Sequence, residues 1–459
     1  MPRTVPHPPP ELKKPELTTW TLKLKTITPM FGGSATPREV DPANPVRAAS
    51  VRGHLRFWWR ATAGAQYTSA EELFKAEEAI WGSDNVPGKV CIRILEVAAS
   101  DPIPCCTYYH RRKDGGTELK TYPYFSDYPG YALFPFQGKA KRDKKTRQVA
   151  GKLRKGQDRF QGKAKRDKKT REITIIEPPS NCFKEGSVRF TLCLLFPNEV
   201  KHDVELAVAM WVRFGGIGAR TRRGCGSLEL IEGSLHIEDV VAQRENSLLT
   251  KAPIVCLVGK PKGKAVKAWK DAVETYKEFR QGKAFARNPG SDPKNPAKLG
   301  RSRWPEPDTI REWFPDMGWK HKPEHPARGF PRADLGLPIV FHFQEEGPED
   351  ENFVLESNYT PSSESEHELG SRFASPVITK AIKTEEGYLP AIVLLDSPHV
   401  WQAGKLTLRF EEHGQRVTEE LVNLSPQERE KVLPLKQFGS KSIREALVEF
   451  VKSKGYRQV

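Results

Sequence analysis

The chain has 459 residues and a formal net charge of +16, with 37% hydrophobic and 29% charged residues. This length suffices for two or three domains, and the composition excludes an intrinsically disordered protein. The chain has no apolar run near the roughly 18 residues of a membrane span and no apolar stretch near its proline-rich start, so we expect a cytoplasmic protein without a secretory signal. Seven cysteines without a CxxC pair predict reduced thiols and no structural metal.

The first half of the chain alternates strand-like and helix-like patterns. Apolar alternation and helical periodicity predict a strand at 17–27, helices at 46–63 and 70–81, strands at 89–97 and 187–196, a helix at 204–214 and a strand at 226–237. This order suits a split βαβ sheet layered with helices.

The basic residues concentrate in one segment inside this half. Residues 136–171 contain 16 Lys and Arg against 3 Asp, a balance of +13, which leaves +3 for the rest of the chain. The stretch FQGKAKRDKKTR occurs at 136–147 and again at 160–171. This duplicated insertion is either a solvated surface loop or a non-specific phosphate contact, and a steep salt dependence would indicate the second.

The second half repeats the mixture of strands and helices after a boundary at about 245–251. The patterns predict strands at 253–259, 337–343, 389–396 and 405–412, helices at 264–281 and 442–454, and long loops at 284–335 and 345–370. The fold class is therefore α+β.

The segment 51–61, VRGHLRFWWRA, combines arginine with aromatic residues on a helix. At about 100° per residue, Val51, Leu55 and Trp58 form a stripe that can pack on a sheet. The neighbouring stripe consists of Arg52, Arg56, Trp59 and Arg60. Such a stripe suits single-stranded nucleic acid, because arginine binds phosphate and an indole stacks on a base. Solvated arginines are the alternative, but like charges at this spacing repel.

The stretch 214–228, FGGIGARTRRGCGSL, is rich in glycine and arginine. Glycine permits a positive φ and a close approach of ligand to backbone, and successive N–H groups in such turns bind anions. The candidate contacts are Gly216, Gly218, Arg220, Arg222 and Arg223. The loop lacks GK[ST] and follows a helix, so it is neither an NTPase phosphate loop nor a dinucleotide fingerprint. A flexible basic turn is the alternative.

These segments, together with TPMFGG at 28–33, resemble the RAMP superfamily of CRISPR RNA-binding proteins. Further similar segments are LGRSRWPEPDTIREWF at 299–314, FPRADLGLPIVF at 330–341 and SRFASPVITK at 371–380. The set is most similar to the first-subunit family of the type III-B Cmr effector, an RNA-targeting complex. Two features depart from the family pattern: His54 stands where an apolar residue is usual, and the insertion at 136–171 has no counterpart.

The resemblance implies two ferredoxin-like (RRM-like) domains, 1–248 and 249–459. It also implies a non-catalytic subunit that caps the complex near the guide RNA 3′ end and contacts guide RNA, target RNA and other RAMP subunits, without a cofactor. By position, the implied RNA contacts are Arg52, Arg56, Trp59, Arg60, Arg220, Arg222 and Arg223 in the first half, and Arg301, Arg303, Arg372 and Lys380 in the second.

An endoribonuclease that processes guide precursors is the alternative function. His54 is its candidate general acid or base, but helical geometry places it away from the arginine stripe, and no partner for acid–base catalysis is evident. The histidines at 321 and 325 lie in a proline-rich loop without an evident acidic helix nearby, so a metal-dependent nuclease is disfavoured.

Overall fold

The computed structural model describes most of the chain. The described residues are 16–105, 108–111, 117–120, 128–133, 163–166, 173–177, 180–235, 254–290, 299–325, 327–343, 352–358, 372–402, 405–410, 414–418 and 421–459. The predicted boundary at 245–251 and nearly all of the basic insertion at 136–171 lie outside them.

Strands outnumber helices in the described part of the chain. The strands are β1 (Leu17–Thr26), β2 (Met30–Phe31), β3 (Cys91–Ala98), β4 (Ile103–Pro104), β5 (Tyr108–Arg111), β6 (Thr117–Lys120), β7 (Lys163–Arg166), β8 (Ile173–Glu177), β9 (Asn181–Phe183), β10 (Arg189–Pro197), β11 (Leu228–Glu232), β12 (Ile254–Val258), β13 (Ile339–His342), β14 (Asn352–Asn358), β15 (Val377–Thr384), β16 (Gly387–Leu395), β17 (Lys405–Phe410), β18 (Gly414–Thr418) and β19 (Arg457–Gln458). The α-helices are α1 (Ala48–Arg60), α2 (Ala70–Trp81), α3 (Gly130–Leu133), α4 (Lys201–Phe214), α5 (Ala265–Gln281), α6 (Glu306–Trp313), α7 (Pro426–Arg429), α8 (Leu433–Lys436) and α9 (Ile443–Ser453).

The first half is built on an antiparallel sheet with strand order β11-β1-β10-β3. On β1 the predicted alternation is confirmed, because Leu22 and Leu24 are fully buried while Lys23 and Lys25 are not. The helices α1 and α4 connect the strands and contribute to the same hydrophobic core. Along the chain the order is β–α–β–β–α–β, with α2 following α1.

The second half repeats this arrangement with strand order β15-β16-β12-β19. The helix α5 packs on β15 and β16, and α9 lies beside β12. Both sheets therefore have the connection order that a ferredoxin-like domain also has. The α+β prediction is confirmed.

A third antiparallel sheet, with order β13-β14-β17-β18, lies in insertions of the second half. It has a separate hydrophobic core that includes Phe353, Leu408 and Ile310. The structure corrects the two predicted long loops, because 284–335 contains α6 and 345–370 contains β14. Both elements are short and flanked by polar or proline-rich sequence, which hides their periodicity.

The cores of the two halves are continuous. The cluster beneath the first sheet includes Ile378, Ala391 and Val393 of the second. Another cluster joins Phe31 of β2 to Trp269 of α5. None of the helices in the described ranges is long and apolar enough to cross a bilayer.

Candidate nucleic-acid interface

The α1 arginines lie beside α2. Arg56 Nε and Arg60 Nη1 each lie 2.5 Å from one carboxylate oxygen of Glu77, a residue of α2 that is only 4% exposed. Arg52 Nη1 lies 3.5 Å from the carbonyl oxygen of Trp81 at the end of α2. All three arginines are half-buried. The acid that the α1 sequence lacks comes from the next helix, so two of the three predicted cations are already paired.

Trp59 requires a correction. It was predicted to lie on the arginine stripe, yet its side chain is 1% exposed and its indole N–H donates to Asp203 of α4 over 2.7 Å. Trp58 is buried as well, at 2%. The apolar arc of α1 is wider than one stripe because the helix packs on α4 as well as on the sheet. In this conformation Trp59 presents no face on which a base could stack.

His54 is half-buried and stacks on Trp211 of α4, with ring centroids 6.2 Å apart. Burial lowers its pKa from 6.5 to about 4, so the ring is neutral at pH 7 and cannot act there as a general acid. No hydrogen bond or ion pair of His54 occurs among the described residues.

The glycines of 214–228 serve contacts within the protein. A Cβ on Gly226, whose φ is 63°, would lie 1.9 Å from the carbonyl oxygen of Ile217, and one on Gly218, whose φ is 86°, 2.4 Å from that of Phe31. Gly216 is buried, and its carbonyl accepts a hydrogen bond of 2.8 Å from Trp211. The physical reason for these glycines is therefore a close approach of one backbone segment to another.

Several amides of the loop are already used. Those of Ala219 and Gly226 donate to the carbonyl oxygens of Phe31 and Pro29 over 2.7 and 2.8 Å, and that of Ser227 donates to the Thr28 hydroxyl over 2.9 Å. These amides cannot form the predicted anion nest. They join TPMFGG at 28–33 to the glycine loop, so two segments that are about 190 residues apart in the chain meet.

The three loop arginines contact α1, α3 and α5 between them, and Arg223 shares α3 with Arg220 because it also lies 5.5 Å from the centroid of the Tyr131 ring. Arg220, in the left-handed region at φ 59°, lies 3.4 Å from the carbonyl oxygen of Ala132 in α3. Arg223 lies over the ring of Tyr276 in α5, 5.2 Å from its centroid. Arg222 alone reaches α1, where its guanidinium lies 5.2 Å from the centroid of the Phe57 ring.

Arg222 also connects α1 to the segment that precedes β15. Its Nη1 donates to the carbonyl oxygen of Ser375 over 2.5 Å, and Arg372, three residues earlier, is exposed. The glycine loop thus brings α1, the segment at 28–33 and the segment at 372–380 together. We call this region the joint.

Lys380 also belongs to the joint, but as a buried residue. It is 0% exposed, and its Nζ donates to the carbonyl oxygen of Gly215 over 2.8 Å. Burial, with the nearby charge of Arg213, holds the pKa of Lys380 well below its usual range. The prediction that Lys380 contacts RNA is corrected, because its buried side chain instead connects the second half to the glycine loop.

Arg301 and Arg303 lie elsewhere, in the loop before α6. Arg301 Nη2 donates to Asp308 Oδ1 over 2.8 Å, and Arg303 Nη1 donates to the carbonyl oxygen of Ala284.

The prediction that no acidic helix lies near the histidines at 321 and 325 is corrected by Asp308 of α6. His325 Nδ1 lies 2.5 Å from Asp308 Oδ2. Glu77 was missed because its partners Arg56 and Arg60 lie 21 and 17 residues away in the chain, and Asp308 was missed because its nearby arginines do not reveal that its side chain is buried.

Comparisons with known proteins point to the same family that these motifs resemble. Residues 23–229 match the family model described as the RAMP superfamily. The CRISPR system Cmr subunit Cmr1-2 of Pyrococcus furiosus is 29% identical over 209 residues, which cover 45% of this chain and 92% of that protein.

Two solved structures align over nearly the whole chain. Cmr1 from Pyrococcus furiosus, in its apo form, aligns with 96% of this chain and 98% of its own at 14% identity and a TM-score of 0.43. A chain of the type III-B Cmr-beta bound to cognate target RNA and AMPPnP aligns with 95% of this chain and 100% of its own, at 12% identity and a TM-score of 0.41. Residues 23–229 of the chain thus match the RAMP superfamily, and the chain is similar over 209 residues to a Cmr1-2 subunit.

Proposed function

We propose that this protein is a cytoplasmic, non-catalytic RNA-binding subunit of a type III-B CRISPR ribonucleoprotein. In this proposal it caps the complex near the 3′ end of the guide RNA, contacts guide or target RNA, and binds other RAMP subunits. The joint is the contact surface, and Arg52, Arg222 and Arg372 supply the cations for phosphate.

The observation that supports this proposal most directly is the position of Arg222. Its guanidinium contacts α1 at Phe57 and the carbonyl oxygen of Ser375, so one arginine lies where segments of both halves meet. If Arg222 lay on the side of the molecule opposite α1, no common groove for a sugar–phosphate strand could form. Arg56 and Arg60 contribute less to this surface, because Glu77 already neutralises one of their two charges.

The proposal is tested by filter binding of a single-stranded RNA over a series of salt concentrations. The variant combines Arg52→Gln, Arg222→Gln and Arg372→Gln, which removes three charges without reversing any of them. We expect at least about a tenfold loss of affinity at moderate salt and a log–log salt slope flatter by about two units, because each lost phosphate contact on a single strand changes it by about 0.7.

The matched control also removes three charges, at exposed lysines away from the joint. It combines Lys75→Gln on α2 with Lys441→Gln and Lys452→Gln at α9. Equal affinity loss in both triple variants would contradict the proposed surface, since it would reflect net charge alone. In the same experiment the RNA should be recovered uncut, and scission that His54→Ala abolishes would establish the endoribonuclease instead.

A further inference from the structure

The second half contains a cavity of about 690 Å³ that the joint does not include. It lies between the end of α5, the start of α6 and the strand β13. Its volume is in the range of small-molecule pockets, roughly 300–1,000 Å³. Five arginines line it: Arg280, Arg287, Arg301, Arg311 and Arg332. Among the lining residues that the structure describes, Glu324 supplies the single carboxylate.

Two of these guanidinium groups form no ion pair within the described part of the chain. Arg287 donates from Nε to the carbonyl oxygen of Gly300 over 2.9 Å, and Arg280 from Nη1 to the hydroxyl of Tyr276 over 3.3 Å. Burial, with the positive charge of Arg332, lowers the pKa of Arg287. Like charges held together in a partly buried site favour a counter-ion, because an anion offsets both the repulsion and the desolvation.

The other lining arginines are held in place from behind by two buried acids of α6. Glu306 Oε1 accepts from the backbone N–H and from Nε of Arg332, both over 3.0 Å. Asp308 Oδ1 accepts from Arg301 over 2.8 Å and from Arg311 over 2.6 Å. Glu306 and Asp308 are 0% and 2% exposed. Side chains fixed in this way lose little further freedom when they bind a ligand.

One wall of the cavity is apolar. Val340 on β13 is 58% exposed and lines the cavity, whereas Phe341, which also lines it, is 7% exposed and belongs to the core of the third sheet. An exposed apolar side chain beside guanidinium groups suits a ligand with a flat apolar part and an anionic part. The terminal phosphate and base of a nucleotide have this combination.

We propose that this cavity binds a nucleoside monophosphate group, as a free nucleotide or at the end of an RNA chain. The phosphate is held by Arg280, Arg287 and Arg332, and the base lies on Val340. This site goes beyond the proposed strand contact at the joint, and neither depends on the other.

The test is isothermal titration calorimetry on the full chain with AMP, adenosine and inorganic phosphate. We expect AMP to bind at least about tenfold more tightly than either part alone. Arg287→Gln should weaken AMP binding about tenfold or more, because a charge-assisted hydrogen bond is lost. Val340→Glu, at an exposed position that tolerates substitution, should weaken it by a similar factor through repulsion. Arg328→Gln, whose side chain is 66% exposed and outside the cavity lining, is the matched control and should bind like the parent chain.

RNA decamers with and without a terminal phosphate separate the two sources of the ligand. If removing that phosphate weakens binding to the parent chain but not to Arg287→Gln, the RNA end is the ligand. If AMP binds and the terminal phosphate makes no difference, a free nucleotide is the ligand.

Three results would overturn the proposal: no saturable AMP binding at millimolar concentration, equal affinity for AMP and inorganic phosphate, or unchanged AMP binding in both Arg287→Gln and Val340→Glu. The triple variant at Arg52, Arg222 and Arg372 should keep its AMP affinity, so failure at the joint and failure at the cavity are distinguishable.

Discussion

The carboxylate of Glu77 determines how much charge α1 can offer to a ligand. It accepts from Arg56 and Arg60 at once, and it is buried while both arginines remain partly exposed. A carboxylate that is 4% exposed would be costly to bury without such partners. The two arginines therefore stabilise the fold, and Arg52 is the α1 arginine without an ion pair in the described ranges. Charge reversal at Arg56 would place a second carboxylate beside that of Glu77. Such a variant would measure an effect on folding rather than on RNA binding.

His54 should make the protein less stable in acid. Its pKa is lowered from 6.5 to about 4 in the folded state, so the unfolded chain binds more protons between these values, and stability falls as pH drops through that window. Between pH 7 and pH 5 we expect His54 to reduce the free energy of unfolding by about 2 kcal/mol.

Urea unfolding of the parent chain and of His54→Gln at both pH values measures this contribution. The difference between the two proteins should shift in favour of the variant at pH 5. A constant difference would show that the ring is accessible to protons in the folded state.

At the scale of elements, the glycine loop is a structural connection that also positions arginines. Its backbone contacts β2 at Phe31, and a Cβ on Gly224 would lie 2.4 Å from the carbonyl oxygen of Thr379 on β15. The indole of Trp269 in α5 donates to the carbonyl oxygen of Arg223 over 2.5 Å. Packing this close on several sides requires residues without side chains.

Gly226→Ala should therefore destabilise the protein strongly. The added Cβ would lie 1.9 Å from a carbonyl oxygen, at a φ of 63° that alanine adopts only with strain. We expect a loss of more than about 2 kcal/mol in the free energy of unfolding.

The matched control is Gly53→Ala in α1, where a Cβ meets no atom within 4 Å. That substitution should stabilise the protein by about 0.5–1 kcal/mol. Equal effects in urea titrations would contradict this account of the loop.

At the scale of the molecule, the two halves share buried surface. Lys380 donates to Gly215, Arg223 lies over Tyr276, and the core beneath the first sheet includes residues of the second. An interface made of core residues and buried polar contacts couples the stability of its two sides.

We accordingly expect one cooperative unfolding transition for these two halves. Far-ultraviolet circular dichroism and tryptophan fluorescence should give the same midpoint, because Trp211 and Trp269 lie in hydrophobic cores that each contain residues of both halves. Two separated transitions in differential scanning calorimetry would contradict the shared core.

Much of the fold was predictable from local pattern. The elements α1, α2, α4, α5, α9 and β1 lie where periodicity placed them, within a few residues at the ends. A missed strand, β15, is buried along most of its length and contains Lys380, whose charge breaks the apolar run. The sequence identified the arginines of the candidate site, but it did not predict which groups they contact. Trp59 and Lys380 proved to be buried, and the cavity arginines other than Arg301 were not singled out.

The sequence by itself determined the amphipathic elements, the α+β class and the segments that define the RAMP resemblance, because these depend on residues a few positions apart. Only the tertiary structure decided which acid pairs with which arginine, which indole is buried, and that the motifs at 28–33, 51–61, 214–228 and 371–380 meet in one place. Those outcomes depend on packing between residues up to about 350 positions apart, and no local periodicity records such a pairing.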